Sequence, residues 1–235
     1  DNTAGQNSAF GVNALFHNTT ATSNSAFGAS SLFDNITGSN NTAFGAASLN
    51  KTTGGGNTGV GYNALITNVA GTNNTALGAN ADVNAVGLTN AMALGNGATV
   101  TGSNKVRIGN GAVTEIGGAV AWSNLSDARL KENIQMSNLG LNFILNLKPV
   151  SYNLIGGNNK SSYGFLAQDV EKIVGVETNI VSTDESKDHI KSLRYTEFIG
   201  PMVKAIQEQQ TLIEDLKVRN SVLEKRIQDI ENKLK

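Results

Sequence analysis

The stretch NSAFG at residues 24–28 decides how the first half of this chain is read, because it recurs. NSAFG also stands at 7–11. Variants follow as NTAFG at 41–45, NTGVG at 57–61, NTALG at 74–78 and AMALG at 91–95, with a degenerate KVRIG at 105–109. The closing glycines, Gly11, Gly28, Gly45, Gly61, Gly78, Gly95 and Gly109, are separated by 17, 17, 16, 17, 17 and 14 residues. Self-similarity at a fixed short period signals a solenoid-like array whose units stack on their neighbours.

Each unit carries one large apolar residue before the glycine: Phe10, Phe27, Phe44, Val60, Leu77, Leu94 and Ile108. The early units add a second four residues after it: Leu15, Leu32, Leu49 and Leu65. Between them lie alternating stretches and Asn/Gly/Thr corners, which is strand-and-turn chemistry, with no helical period. Glycine suits a corner where the backbone needs positive φ or close approach. Two or three sizeable apolar groups per coil bury too little to offset an ordering entropy of roughly 1–2 kcal/mol per residue. Identical chains sharing an axial core would supply the deficit, so a trimer is expected. Residues 1–109 are thus read as a β-solenoid-like repeat stalk with a period of about 17. The units resemble the head repeats of trimeric adhesins and the repeat stalks of phage tail fibres, over about residues 4–109.

Composition breaks sharply after the repeats. Of 18 basic and 19 acidic residues, only Asp1, Asp34, Lys51 and Asp82 precede Lys105. The second half has the make-up of an ordinary folded domain followed by a charged helix, and such a shift marks a domain boundary. A net charge of −1 gives no electrostatic case for nucleic acid or an anionic membrane surface. There is no cysteine, hence no disulfide framework or thiolate metal site, which says nothing of compartment. No apolar run approaches the ~20 residues that span a bilayer, and no signal peptide is visible. The chain opens on Asp1 and is expected to be a piece of something longer.

Several motif matches in the repeats carry no weight. GGGNTG at 54–59 satisfies G-x-G-x-x-G, but neither a helix pattern nor an acidic ribose partner follows, so it is a repeat corner. Asn-x-Ser/Thr triplets at Asn18, Asn35, Asn40, Asn50 and Asn73 arise freely in so Asn- and Thr-rich a segment. The only histidines, His17 and His189, are far apart in sequence, so neither a His-based metal site nor a Ser-His-Asp triad is expected, and no cofactor is implied. The acids of the repeats, Asp1, Asp34 and Asp82, form no carboxylate pair of the glycosidase kind. Any glycan-degrading activity would lie upstream.

The C-terminal segment, 198–235, turns heptad. The a positions are Ile199, Ile206, Ile213, Asn220, Ile227 and Leu234, and the d positions are Met202, Gln209, Leu216, Leu223 and Ile230. Periodicity sustained over five heptads indicates a coiled coil. Arg219 with Glu224, and Arg226 with Glu231, fall at g and the following e, which favours parallel, in-register association. Isoleucine at a with leucine at d leans to dimers, so the tail alone reads as dimer or trimer. The repeat half tips the expectation to trimer.

Between stalk and coil, 110–125 reads as a connector and 126–197 as a small α+β core. LGLNFILNLKPVSYNL carries an amphipathic stretch, Pro149 and a strand-like VSYNL. YGFLAQDVEKIV at 163–174 reads as a strand end running into a short helix, and IKSLRYTEF at 190–198 as a strand leading into the coil. Four motifs in order, SDARLKENI at 126–134, LKPVSYNL, YGFLAQDVEKI and RYTEFIGPMVKAIQEQ, stand ahead of the coil. Together they closely resemble the intramolecular chaperone and auto-processing domain that ends endosialidase tailspikes, many phage tail fibres and bacterial tail-fibre-domain proteins.

That resemblance covers about 126–235. It implies a domain that trimerises the chain, templates the fibrous part above it and then cuts itself off. It implies Ser126 as nucleophile, Lys131 as its partner in a Ser-Lys dyad, and Leu125–Ser126 as the cleaved bond. It also implies a virion tail fibre, or a bacterial extracellular or surface location, and a homotrimer as the working partner. A cell-surface receptor or glycan would be met through upstream parts. The alternative is a non-cleaving trimeric adhesin or receptor-binding stalk whose C-terminal domain only trimerises.

The residue types suit that chemistry. A serine hydroxyl is a weak nucleophile that needs a base. A lysine serves if desolvation or its neighbours bring it down from ~10.4. Asp127 would orient the lysine or hold the turn. Gln168 and Asp169 would approach the site or serve packing, and Arg129 is expected to pair with an acid.

Overall fold

The computed structural model describes residues 5–155, 159–184 and 188–234. The first four residues of the expected stalk, and Lys235 of the expected coil, lie outside them. The described residues divide into two compact units, one built on the repeats and one carrying most of residues 120–234. No helix among them is long and apolar enough to cross a membrane.

The repeats yield β1 (Ser8–Phe10), β2 (Ser25–Phe27), β3 (Thr42–Phe44), β4 (Thr58–Val60), β5 (Thr75–Leu77), β6 (Asp82–Val83), β7 (Met92–Leu94), β8 (Thr99–Val100) and β9 (Val106–Ile108). Seven of them form one parallel sheet in the order β1-β2-β3-β4-β5-β7-β9, a β-solenoid of about six turns. Every motif residue pairs with its own counterpart one coil on: Phe10 with Phe27, Phe27 with Phe44, Phe44 with Val60, Val60 with Leu77. The period of the sequence is therefore the register of the sheet. The corner glycine is obligatory. Gly28 sits at φ +135, and a Cβ there would come within 2.6 Å of the Gly45 carbonyl carbon one coil away.

The two apolar series have opposite fates. Leu15, Leu32, Leu49 and Leu65 are buried, each turned inward by a left-handed backbone at φ between 49° and 56°. Side-chained residues seldom occupy that region. Phe10, Phe27, Phe44 and Leu77 stand exposed in a column along the sheet. The last coils change device: Asp82 and Thr99 replace the inward leucine, β6 pairs with β8, and Val83 and Val100 fill the core instead.

Asparagines expected at corners prove to be interior. Asn24, Asn41, Asn57 and Asn74 are fully buried. The side-chain oxygen of each accepts from the backbone N–H that opens the next coil, at 2.9, 2.8, 3.0 and 2.9 Å in turn, the last donor being Ala91. The amide groups of Asn41, Asn57 and Asn74 donate across the coil to the carbonyls of Gly54, Gly71 and Leu88. A buried polar ladder costs little only when its members are satisfied.

The second unit contains α1 (Leu141–Asn146), an antiparallel pair β10 (Val150–Tyr152) and β11 (Ser162–Gly164), α2 (Ala167–Val174), a second antiparallel pair β12 (Val181–Thr183) and β13 (Lys191–Leu193), a 3-10 turn over Tyr195–Phe198, and α3 (Ile199–Lys233). Phe143, Val170, Ile180 and Phe198 make its core, with Phe165 stacked on Phe198 at 5.5 Å between ring centres. Of the motif aromatics, Phe165 and Phe198 are therefore packing residues, while Tyr163 stands exposed. The start of α3 is tied down: Pro201 and Ala205 are buried, and Glu208 accepts from the Leu141 N–H at 2.6 Å, capping α1. The heptad residues Ile206, Ile213, Leu216, Leu223, Ile227 and Ile230 remain exposed.

Candidate active site

Residues 110–138 form a continuous exposed segment with no strand pairing. Its one piece of regular structure is a 3-10 turn at Ala128–Leu130, closed by Leu130 N–H to the Asp127 carbonyl and Lys131 N–H to the Ala128 carbonyl, both 3.1 Å. Backbone on either side is extended, at φ −64° and ψ 132° for Asp127 and φ −121° and ψ 140° for Lys131. A chain that enters extended, makes one turn and leaves extended returns toward itself. The result is that Lys131 Nζ lies 2.9 Å from Ser126 Oγ, five residues back.

Asp127 holds the turn. Its Oδ1 accepts from the Arg129 backbone N–H at 2.9 Å, which caps the turn. Arg129 then folds over the same carboxylate, with Nε 3.0 Å from Oδ1 and 3.2 Å from Oδ2, and Nη2 2.6 Å from Oδ2. This grip holds the Asp127 carboxyl below the usual carboxylate range, the side-chain bond from Arg129 being the main cause. Of the two roles open to Asp127, the geometry is that of holding the turn, and Arg129 is an ion-pairing residue.

Chemically, Ser126 and Lys131 have the separation at which an unprotonated amine takes a hydroxyl proton. Leu125, whose carbonyl precedes Ser126, is 87% exposed. Among the described residues no hydrogen-bond donor reaches that carbonyl, so the segment places a hydroxyl beside an amine with no donor at the neighbouring carbonyl.

Among the described residues, neither Gln168 nor Asp169 of the AQD motif bonds to this pair. Asp169 pairs with Lys172 at 2.8 Å within α2, and that contact keeps its carboxyl low. Gln168 lines a shallow cleft of about 260 Å³ with Tyr152, Phe165, Leu193 and Tyr195. Phe165 N–H donates to the Tyr195 hydroxyl at 3.3 Å, and Gly164 leaves room for that hydroxyl, so a side chain there would collide with it. Lys191 ties β13 to α2 through Glu171 at 2.7 Å. His17 pairs with Asp34 at 2.7 Å on the solenoid surface.

Residues 126–178 match the family model of a peptidase family described as the chaperone of endosialidase, and the β-solenoid precedes that match. The matched segment begins at Ser126 itself. Comparison with curated proteins and with solved structures gave no match.

Proposed function

We propose, taking the match to the chaperone of endosialidase as premise, that residues 126–235 are an intramolecular chaperone for a trimeric fibre of tail-fibre type. They assemble three chains, set the register of the repeat stalk and then sever the Leu125–Ser126 bond. The observation that carries the reading is the 2.9 Å approach of Lys131 Nζ to Ser126 Oγ, at the first residue of a match to a peptidase family.

The chemistry is a single turnover. Lys131, unprotonated, takes the Ser126 hydroxyl proton as Oγ attacks the Leu125 carbonyl carbon. The Leu125–Ser126 C–N bond breaks, an ester C–O bond forms, and the proton passes from Lys131 to the departing Ser126 amine. Water then hydrolyses the ester, leaving a carboxylate on Leu125 and a free hydroxyl and amine on Ser126. The oxyanion needs donors, which a neighbouring chain would supply. Closing of the site by neighbouring chains, which would exclude water and supply those donors, would couple cleavage to assembly.

Two features support trimer formation. On α3 the heptad face is left to solvent, with Ile213 45% exposed, while the helix uses other residues to grip its own domain. On the solenoid the phenylalanine column is equally uncovered, Phe44 being 59% exposed. Burying a side chain of this size is worth about 1.5–3 kcal/mol, so repeated ladders reward parallel, in-register association. Holding three chains at one end raises the effective concentration of strands whose long-range pairing is slow. Cutting afterwards removes the template, which gives kinetic stability. The location that follows is a virion tail fibre or a bacterial surface.

Expression followed by denaturing electrophoresis tests the reading. The wild-type chain should appear as Asp1–Leu125 and Ser126–Lys235, and Ser126→Ala as one band. A wild-type chain that forms trimers yet stays intact would establish the non-cleaving stalk instead.

A further inference from the structure

The proposed dyad has a carboxylate next door that would spoil it. Asp127 follows Ser126 directly, stays ionised and stands in the same turn as Lys131. A carboxylate paired to an ammonium stabilises the protonated lysine, which cannot accept a proton. Yet no ion pair joins Asp127 to Lys131: the lysine's contact is Ser126 Oγ, and the aspartate is wrapped by Arg129 through three hydrogen bonds from its guanidinium. Among the described residues, the remaining charged side chain of the turn, Glu132, makes no ion pair, and no other element covers the segment.

Resting on the cleavage reading above, we infer that Arg129 is a positioning residue which sequesters the Asp127 carboxylate, leaving Lys131 free to serve Ser126 as base. Asp127 cannot simply be dispensed with, because its Oδ1 caps the turn that brings the lysine back to the serine. The protein needs the oxygen and must neutralise the charge. Arginine suits this role because its planar fork holds both carboxylate oxygens and it never loses its proton, whereas a lysine there would contact one point. The spacing Ser-Asp-x-Arg-x-Lys then has a stated reason at every named place: nucleophile, cap, neutraliser, base.

The test is the pH profile of self-cleavage in the full chain, purified under denaturing conditions and refolded at each pH, for wild type, Arg129→Gln, Asp127→Asn and the double variant. Asparagine keeps a capping oxygen without the charge. Arg129→Gln should cleave about tenfold more slowly at pH 7 in low salt, less so in high salt, and regain the wild-type rate at alkaline pH. Adding Asp127→Asn to Arg129→Gln should restore the neutral rate, and Asp127→Asn alone should cleave near the wild-type rate. A loss in Arg129→Gln that is equal at all pH values, no loss at all, or failure of the double variant to recover would overturn the sequestration while leaving the protease intact. A wild-type chain that does not cleave, or a Ser126→Ala chain that does, would sink the cleavage reading itself. Circular dichroism and native mass on each variant separate misfolding from slow chemistry: recovery of rate at high pH by Arg129→Gln is open only to a folded chain.

Discussion

Lys131 Nζ and Ser126 Oγ are brought to 2.9 Å by one 3-10 turn, and among the described residues no other side chain bonds to either atom. Local encoding of this kind places both side chains within the single stretch 126–131. What the turn leaves out is everything that would make the pair reactive: shielding from water and donors for the oxyanion. Those are features a chain can withhold until it has assembled.

If Lys131 is the base, its replacement by arginine should be as damaging as its removal. Arginine keeps the charge and the reach toward Ser126 but does not release its proton at any working pH. Loss of general-base catalysis costs roughly 10²–10⁴ in rate. Lys131→Arg and Lys131→Met should both leave a full-length band under conditions where the wild type is cut within its preparation time. Timed denaturing electrophoresis across pH should show wild-type cleavage accelerating as pH rises, since the amine works only unprotonated.

The solenoid predicts a contrast between its two apolar ladders. Leu49 is fully buried and Phe44 is 59% exposed, although they lie in one coil. Leu49→Ala opens a cavity and should lower stability by about 2–5 kcal/mol at any protein concentration. Phe44→Ala removes little from a single chain, within about 1 kcal/mol, but should weaken association. Denaturation midpoints measured over a range of protein concentrations distinguish the two. Equal losses for both, independent of concentration, would mean that the phenylalanine column meets no partner.

How legible these features were in the sequence depends on range. The repeat period was legible because stacking forces equal residues to equal places, so Phe10, Phe27 and Phe44 pair as their spacing suggests. The asparagine ladder was not, because Asn41 and Asn57 carry a turn-forming residue type, and only stacking makes them interior. The switch at Asp82 and Thr99 left one trace, the absence of the inward leucine. At the site, Ser126 and Lys131 could be picked out only through the motifs downstream, while the Arg129 grip on Asp127 is a conformation of one turn with no periodic signal. The Glu208 cap on α1 escaped for the opposite reason: it joins residues 67 apart, a distance at which no local pattern reports.

Asp82 offers a pH test of the solenoid. Burial pushes its carboxyl above the usual value, an effect larger than the opposing hydrogen bonds from Thr67 and Val83. The folded chain thus binds this proton more readily than the unfolded chain. The contribution is fully favourable below the ordinary carboxylate value and is lost as pH rises through the folded one. Asp82→Asn keeps an acceptor for the Thr67 and Val83 N–H groups without the buried charge. It should raise the thermal midpoint slightly at pH 7, by no more than about 1 kcal/mol in stability, with the gain shrinking toward pH 4. An advantage that is constant with pH would place its origin outside this titration.

The helix α3 carries one a-position residue that ought to cost stability, Asn220, among isoleucines at Ile206, Ile213 and Ile227. A buried asparagine at such a place specifies register and oligomer number at the expense of affinity. On the chaperone reading this is useful, since three chains aligned wrongly by one heptad would offer the repeats a wrong register over the whole stalk. Asn220→Ile should therefore raise the melting temperature of the associated helices. It should also broaden the distribution of oligomers seen by sedimentation equilibrium, and lower the yield of correctly cleaved, protease-resistant stalk. Higher stability with an unchanged single oligomer and full yield would show that register is set elsewhere, in the phenylalanine column. A chain that stays monomeric in both forms would remove α3 from the association surface altogether.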